Sequence, residues 1–440
     1  MDQLTLGLEQ PDTSRLFEEI TSLPMLRLAF KKVKANRGSP GPDGQSVEAF
    51  ADDAEVHLKA LRNELLDWQY QPGPVRRVVI PKPNGGERLL GVPNVRDRIV
   101  QQAMQLVLSM LYEPTFSSHS HGFRPGRSQH TALEEARSYV GDGKEWVVDL
   151  DLERFFDTVN HDRLIYLLQK RVADKRVIRL IGMTLRSGVW TEGVVEEQRE
   201  GQPQGSPLSP LLSNIILSEF DEELERRGLR FVRYADDANI FVGSEKAARR
   251  VLESLTRFIE KKLKLKVNRT KSRVARSREV KFLGMTILMG GILAISAGAM
   301  SNAKAKLKEL VPRSGRAPLE AQIEAVNQWY RGWSGYFAMG EYPSQLKAIE
   351  AHARARFRVQ FVKNHKRKKH LLRKLKSRGL RSETAYREVY LKNHGRWRLA
   401  HTMSVNQSWS SQWFEDQGLL TVSGEQRPHW KEIKAYPKAL

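Results

Sequence analysis

The chain contains no cysteine. That removes disulfides, thiolate zinc sites and a cysteine nucleophile, and makes a cytoplasmic setting the expectation. It also lacks any apolar run approaching the roughly 20 residues that span a bilayer, so no membrane partner is expected. No secretory leader is expected either, because Met1-Asp-Gln-Leu-Thr5 runs into acidic residues. Acid is scarce overall: 51 Asp+Glu face 73 Lys+Arg, a formal charge of +22. Such an excess attracts phosphate backbones and says nothing about fold. At 440 residues the chain can bury one large core or several smaller ones.

Two adjacent acids stand at Tyr234-Ala235-Asp236-Asp237. The flanks, Leu229-Arg-Phe-Val-Arg before and Ala238-Asn-Ile-Phe-Val after, are apolar and β-prone, which predicts a tight hairpin. An Asp-Asp pair at a turn is commonly just solvated. At the end of a buried hairpin it suits a divalent cation, since Mg²⁺ takes hard carboxylate oxygens together with substrate phosphates. A second acidic feature lies in Trp146-Val-Val-Asp-Leu-Asp-Leu152, read as a buried strand. Acid in such a strand is costly unless paired or metal-bound. Asp149 and Asp151 share a strand face, so parity does not choose between them.

Between these points the pattern is mixed helix and strand. Leu16, Ile20, Leu23 and Leu26 mark a helical lead-in, and a glycine/proline loop covers 36–44. Strands are expected at 75–80 and 87–92 around a turn at 81–86, followed by an amphipathic helix over 93–113. A basic loop at 121–127 and a helix over 128–140 come next, and a helix follows the acidic strand from about Phe156. Gly201–Pro210 is a turn-rich run feeding a helix over 211–227, with Ser209 and Pro210 as cap and first-turn residues. A basic amphipathic helix is expected at 245–264, with strand-like sequence at 265–273 and 280–287. After about residue 300 the texture turns helical. Trp329, Trp333, Tyr336 and Phe337 form a helical stripe, most simply core. Residues 351–380 hold twelve Lys/Arg and no Asp/Glu. Interleaved Phe357, Val359, Phe361, Leu371, Leu372 and Leu375 argue for folded helices with a basic outer face rather than a disordered run.

One carboxylate from the 149–151 strand and two from the hairpin would hold two Mg²⁺ ions. Paired metals of this kind stabilise both the attacking and the leaving oxygens of an in-line phosphoryl displacement. With the basic surroundings, nucleotidyl transfer on a nucleic-acid template follows.

The ordered series Ile80-Pro-Lys-Pro-Asn-Gly-Gly-Glu-Arg-Leu-Leu-Gly-Val-Pro93, Gly122-Phe-Arg-Pro-Gly-Arg-Ser128, Val148-Asp-Leu-Asp-Leu-Glu-Arg-Phe-Phe-Asp157, Gln204-Gly-Ser-Pro-Leu-Ser-Pro210, Tyr234-Ala-Asp-Asp237, Leu265-Lys-Val-Asn268, Phe282-Leu-Gly284 and Trp329-Tyr-Arg-Gly-Trp333 resembles the group II intron-encoded reverse transcriptase/maturases. The type it resembles is the bacterial one without a C-terminal HNH endonuclease. The resemblance implies an α+β right-hand polymerase, with fingers and an antiparallel palm sheet plus helices, then an α-helical thumb/maturase domain. It implies an N-terminal extension and start of fingers at 1–70, fingers and palm at 71–290, thumb/maturase domain at 291–420 and a short tail at 421–440. Matching residue by residue, Asp151, Asp236 and Asp237 are the catalytic carboxylates and Asp149 is structural. The backbone carbonyl of Leu152 is a further ligand of the two Mg²⁺ ions. Lys82 and Arg88 match the triphosphate-binding pair, Phe156 the ring that excludes a ribose 2′-hydroxyl, and Gln204 a residue lining the nucleotide pocket.

The implied partners are group II intron RNA, an RNA template/DNA primer duplex, dNTPs and target DNA. The implied state is a monomer within a ribonucleoprotein, nucleoid-associated when acting on DNA. Ser206 departs from the commoner glycine and is expected to add a side chain near the nucleotide. A nuclease module is not expected, so second-strand nicking would come from elsewhere. Two other readings share these motifs: a free-standing enzyme serving repair or defence, and an RNA chaperone with a lapsed polymerase.

Overall fold

The computed structural model describes residues 12–81, 87–191, 193–196, 200–315, 317–365, 367–391 and 395–421. Its contacts divide the chain into two compact units. One comprises Met1–Tyr139 with Gly143–Arg276, and the other Val140–Asp142 with Ser277–Leu440.

The first unit is built around the helix Val95–Tyr112. Val95, Ile99, Val100, Ala103, Met104, Val107 and Leu108 are all buried, so this helix is a core rod rather than a surface element. Its buried Asp97 is matched. Asp97 accepts from the Tyr70 hydroxyl at 2.7 Å and from the Gly73 N–H at 3.1 Å. Leu23–Ala35 packs along it, entering through Ser22, whose hydroxyl accepts from the Met25 N–H.

Two sheets flank this core. The first contains β1 (Val75–Pro81), β2 (Glu87–Val92), β4 (Val189–Thr191) and β5 (Val194–Glu196), in the order β2-β1-β4-β5. The β1–β2 pair is antiparallel and β1–β4 parallel. The second contains β3 (Trp146–Leu150), β6 (Arg230–Tyr234), β7 (Asp237–Val242) and β8 (Arg273–Arg276), in the order β6-β7-β3-β8, antiparallel throughout. Alternation decides which face of this second sheet is covered. Val148 and Leu150 of β3, Phe231 of β6, and Ala238 and Ile240 of β7 pack into the core. The helix Ser209–Arg226, with Leu212, Ile216 and Phe220, belongs to the same core.

Two segments differ from their sequence pattern. Of the strand-like run 265–273, Val267 pairs only as an isolated bridge to Leu152, and Arg273 at its end opens β8 opposite Asp149. Asn268 then breaks the run, because its side-chain oxygen accepts from the Thr270 and Lys271 N–H groups and folds an Asx turn. The helix from Glu245 keeps α geometry to Phe258, then closes in a π turn over Ile259–Leu263, with Lys264 left-handed at φ +58°.

The second unit holds a short hairpin, β9 (Met285–Ile287) with β10 (Leu293–Ile295), and a set of helices. Its core joins Leu307, Ile323, Tyr330, Ile349, Phe357, Leu371, Leu375 and Phe414. The aromatic stripe serves that core: Trp329 and Trp333 stack at 5.8 Å, and Trp333 meets Phe337 at 4.8 Å. Among the described residues, no helix is long and apolar enough to cross a membrane.

Candidate functional site

The acidic hairpin forms as its sequence suggests. Tyr234 pairs with Asp237, leaving a two-residue tip of Ala235 and Asp236. Ala235 takes a left-handed backbone at φ +58°, a conformation that ordinarily selects glycine in such a turn. Holding a residue with a Cβ there costs on the order of 1–3 kcal/mol, so surrounding contacts must impose it.

Those contacts come from two directions. The first is the loop before Gly122. Its Ser120 forms a parallel bridge with Arg233, with the His119 carbonyl accepting from the Arg233 N–H (2.9 Å) and the His121 N–H donating to the Arg233 carbonyl (2.8 Å). Gly122 then lies flat on the tip. A Cβ there would stand 2.2 Å from the Ala235 nitrogen, which explains the glycine without invoking flexibility. The loop is itself clamped by Glu135, which takes hydrogen bonds from His119, from His121 Nε2 at 2.6 Å and from the Tyr139 hydroxyl at 2.6 Å.

The second is a buried ion pair. Arg233 lies on the covered face of β6, only 1% exposed. Its Nε and Nη2 donate to Asp221 Oδ1 and Oδ2 at 2.7 and 2.6 Å. Its Nη1 donates to Asn214 Oδ1 (3.0 Å) and to the Ala235 carbonyl (2.8 Å), and Asn214 Nδ2 donates to the Gly122 carbonyl (3.0 Å). One guanidinium thus ties the helix Ser209–Arg226 to the tip, and Asn214 ties that helix to the Gly122 loop. Sequence reasoning passed over all three residues. The available signal was parity: Arg233 shares the inward face with Phe231, where a cation needs a buried partner.

The open face of the same sheet carries the carboxylates. Asp149 pairs in register with Asn239, and Leu150 with Ala238. Continued by one residue, this register brings Asp151 beside Asp237. Asp151 is anchored by backbone: its N–H donates to Ser272 Oγ (3.0 Å) and its carbonyl accepts from the Asn268 N–H (2.9 Å). Its Oδ2 is buried and accepts no hydrogen bond, with Lys271 Nζ 3.5 Å away. Asp149 instead faces Arg273, Nε to Oδ2 at 3.6 Å.

The charges are felt mutually. Surrounding protein and then Asp149, Asp236 and Asp151 push the Asp237 carboxyl up to about 7, with Lys271 pulling the other way. Asp237 keeps a face open to solvent, yet the protein packed around its carboxyl is the larger cause of the shift and its like-charged neighbours the smaller. Asp236 is raised by burial and by Asp151, and Arg88 opposes the shift. Among the described residues, no three His, Asp or Glu side chains stand at the spacing of a closed metal cage. The donor set nonetheless suits Mg²⁺: hard carboxylate oxygens, one of them buried without a hydrogen bond, in a group whose repulsion a cation would relieve.

The remaining expected residues gather on adjoining segments. Arg88 lies on β2, exposed, and acts electrostatically on Asp236. Three residues on, the Gly91 N–H donates to the Gln204 carbonyl at 2.8 Å. Phe156 sits in the short helix Phe155–Thr158, and its carbonyl accepts from the Gln202 N–H at 2.6 Å. Two backbone bonds therefore tie the 202–204 segment to β2, which carries Arg88, and to the short helix that carries Phe156. Leu152 forms its bridge with Val267 through the Glu153 N–H and the Asp151 carbonyl, so neither of those bonds uses the Leu152 carbonyl. Lys82 and the 82–86 turn lie outside the described residues, as does the tail from 422. Ser206 turns inward, away from where the sequence suggested. Its hydroxyl is buried, donates to Gln101 Oε1 at 2.8 Å and accepts from the Leu208 N–H at 3.3 Å.

Comparison with known proteins adds two family matches. Residues 80–287 match the family described as reverse transcriptase (RNA-dependent DNA polymerase), and residues 300–379 the group II intron, maturase-specific domain. Protein YkfC of Escherichia coli is 35% identical over 300 residues, covering 59% of this chain and 79% of that protein. The putative COX1/OXI3 intron 1 protein of Saccharomyces cerevisiae is 38% identical over 218 residues, 49% of this chain and 26% of that one. The group II intron-encoded protein LtrA of Lactococcus lactis is 29% identical over 345 residues, 62% and 56% respectively. The chain thus spans most of the first relative but only about a quarter to a half of the other two.

Proposed function

The chain belongs to the group II intron-encoded reverse transcriptase/maturases, and from that membership we propose that it extends a primer 3′ end with dNTPs on an RNA template and binds group II intron RNA to assist splicing and retrohoming. In this reading residues 71–290 are fingers and palm and 291–420 the thumb/maturase domain. Asp151, Asp236, Asp237 and the Leu152 carbonyl hold paired Mg²⁺. When bound, those ions supply charge stabilisation to the oxygens entering and leaving the reacting phosphorus.

The chain's own residues position and exclude. Arg88 carries positive charge beside Asp236, where a triphosphate is drawn in and its charge offset. Phe156 and Gln204, joined through the 201–204 backbone, form the wall and floor of a nucleotide site next to the carboxylates. Lys271 neutralises Asp151 in the absence of a stronger cation. The single observation that carries the reading is the strand register that aligns Asp151 with Asp237.

Primer extension on poly(rA)/oligo(dT) with Mg²⁺ tests it. Asp236→Ala should lose synthesis by about a thousandfold or more, the scale of removing a preorganised charge-stabilising group. RNA affinity should stay within a few-fold of the parent. Normal synthesis by a folded Asp236→Ala protein would end the assignment.

A further inference from the structure

The second unit carries a cationic face that the catalytic reading does not use. Its centre is His352, on the helix Pro343–Asn364. The Nε2 atom of that imidazole is buried and makes no hydrogen bond. Burial and then Lys304, Arg356, Lys308 and His401 hold the ring below its usual range, so the strongest charges acting on it are all positive. Lys304 and Lys308 are one turn apart on the helix Ala297–Leu310 and exposed. That helix keeps its acid elsewhere: Glu309 pairs with Lys306 at 2.8 Å. Arg356, one turn after His352, is fixed by donating to the Val311 carbonyl at 2.7 Å. An array of like charges around an unsatisfied ring is unfavourable by itself, and an anion would relieve it.

Beside this array stands a flat ring. Trp397 is 41% exposed and lies 6.3 Å from His352 and 4.6 Å from His401, ring centre to ring centre. Exposed Arg313 places its guanidinium 6.0 Å from the Trp397 ring centre. Exposed cations next to an accessible aromatic ring are the combination that holds a single strand, phosphates on the charges and a base on the ring. A duplex keeps its bases stacked inside and offers the indole nothing.

We propose that Lys304, Lys308, Arg313 and Trp397 form a binding site for an unpaired polynucleotide strand, with its phosphates on the exposed cations and a base stacked on Trp397. It specifies the RNA-binding part of the function proposed above and rests on that part, not on the catalytic one.

The test is fluorescence anisotropy of the full chain with labelled oligo(U) RNA across a salt titration. Oligo(dT) DNA and a blunt RNA duplex serve as the other probes. Trp397→Ala should weaken oligo(U) binding about 5- to 100-fold, with the salt slope unchanged, and Trp397→Phe should retain most of the affinity. Lys304→Gln with Lys308→Gln should lower the magnitude of the slope by about 1.4, two phosphates at roughly 0.7 each for a single strand. Circular dichroism confirms that each variant is folded. Binding of oligo(U) alone identifies the strand as RNA, and equal binding of oligo(dT) means either strand is accepted. Preference for the duplex overturns the proposal, as does a lysine double variant with parental affinity and slope. Asp236→Ala separates the two readings. If it polymerises normally the catalytic assignment falls and this site stands. If it is inactive while the lysine and tryptophan variants bind like the parent, this site falls alone.

Discussion

Replacing Arg233 by methionine should unfold the first unit early and, below that temperature, stop synthesis. The substitution leaves Asp221 with a fully buried carboxylate and no bidentate partner, and frees both the Asn214 oxygen and the Ala235 carbonyl. Breaking a buried ion pair from one side costs about 3–5 kcal/mol. For a unit of this size, 1 kcal/mol moves the melting temperature by about 2–4 °C, so a drop of roughly 6–20 °C is expected. The double variant Arg233→Met, Asp221→Leu removes the stranded charge and should recover most of that loss. It does not restore the tie to the Ala235 carbonyl. Its tip, held in a left-handed conformation costing about 1–3 kcal/mol, is then free to relax and carry Asp236 and Asp237 with it. The double variant should therefore melt near the parent and yet extend primers at least about tenfold more slowly, the equivalent of some 1.4 kcal/mol in the barrier. Thermal melts monitored by circular dichroism, with single-nucleotide extension under saturating dNTP, measure both. A single variant that melts within about 2 °C of the parent would refute the stability argument. A well-folded double variant with parental turnover would refute the anchoring role.

Three further outcomes follow from the same geometry. Gly122→Ala forces a Cβ to within 2.2 Å of the Ala235 nitrogen, backbone against backbone, so extension should fall by about a hundredfold even where the protein stays folded. Ser206→Ala should cost about 1–2 kcal/mol in denaturant unfolding by stranding Gln101, and should leave the misincorporation rate unchanged because the hydroxyl points inward. Glu135 is a pH probe. Burial alone would raise it, but hydrogen bonds from His119, His121 and Tyr139 overcome that and hold it at about 2. Its folded value lies below the unfolded one, so its contribution is complete above about 4.5 and lost as pH falls toward 2. Glu135→Gln should flatten the acid limb of melting temperature against pH in that window, and an unaltered limb would count against the clamp.

The acidic hairpin was legible because its tip interrupts two apolar β-prone runs, and the strand at 146–152 because acid sat among Val and Leu. Register was not. Nothing in the sequence said that Leu150 would pair with Ala238, and that pairing is what aligns Asp151 with Asp237. The support beneath the tip was hidden for a related reason. Arg233, Asp221 and Asn214 lie on separate elements, and each reads alone as an ordinary polar residue. Ser206 shows the limit of transferring a position without its rotamer. Its place beside Gln204 suggested the nucleotide, whereas its hydroxyl satisfies Gln101 on the central helix.

The fit of Gly122 against Ala235 makes the hairpin and the 119–122 loop two halves of one mould. Neither half can be exchanged by itself. Grafting the four-residue tip onto another scaffold would transplant the acids without the wall that sets their angle. An engineer seeking to retune the acids would do better to edit the loop behind them, where small shifts reach the tip through backbone contact alone.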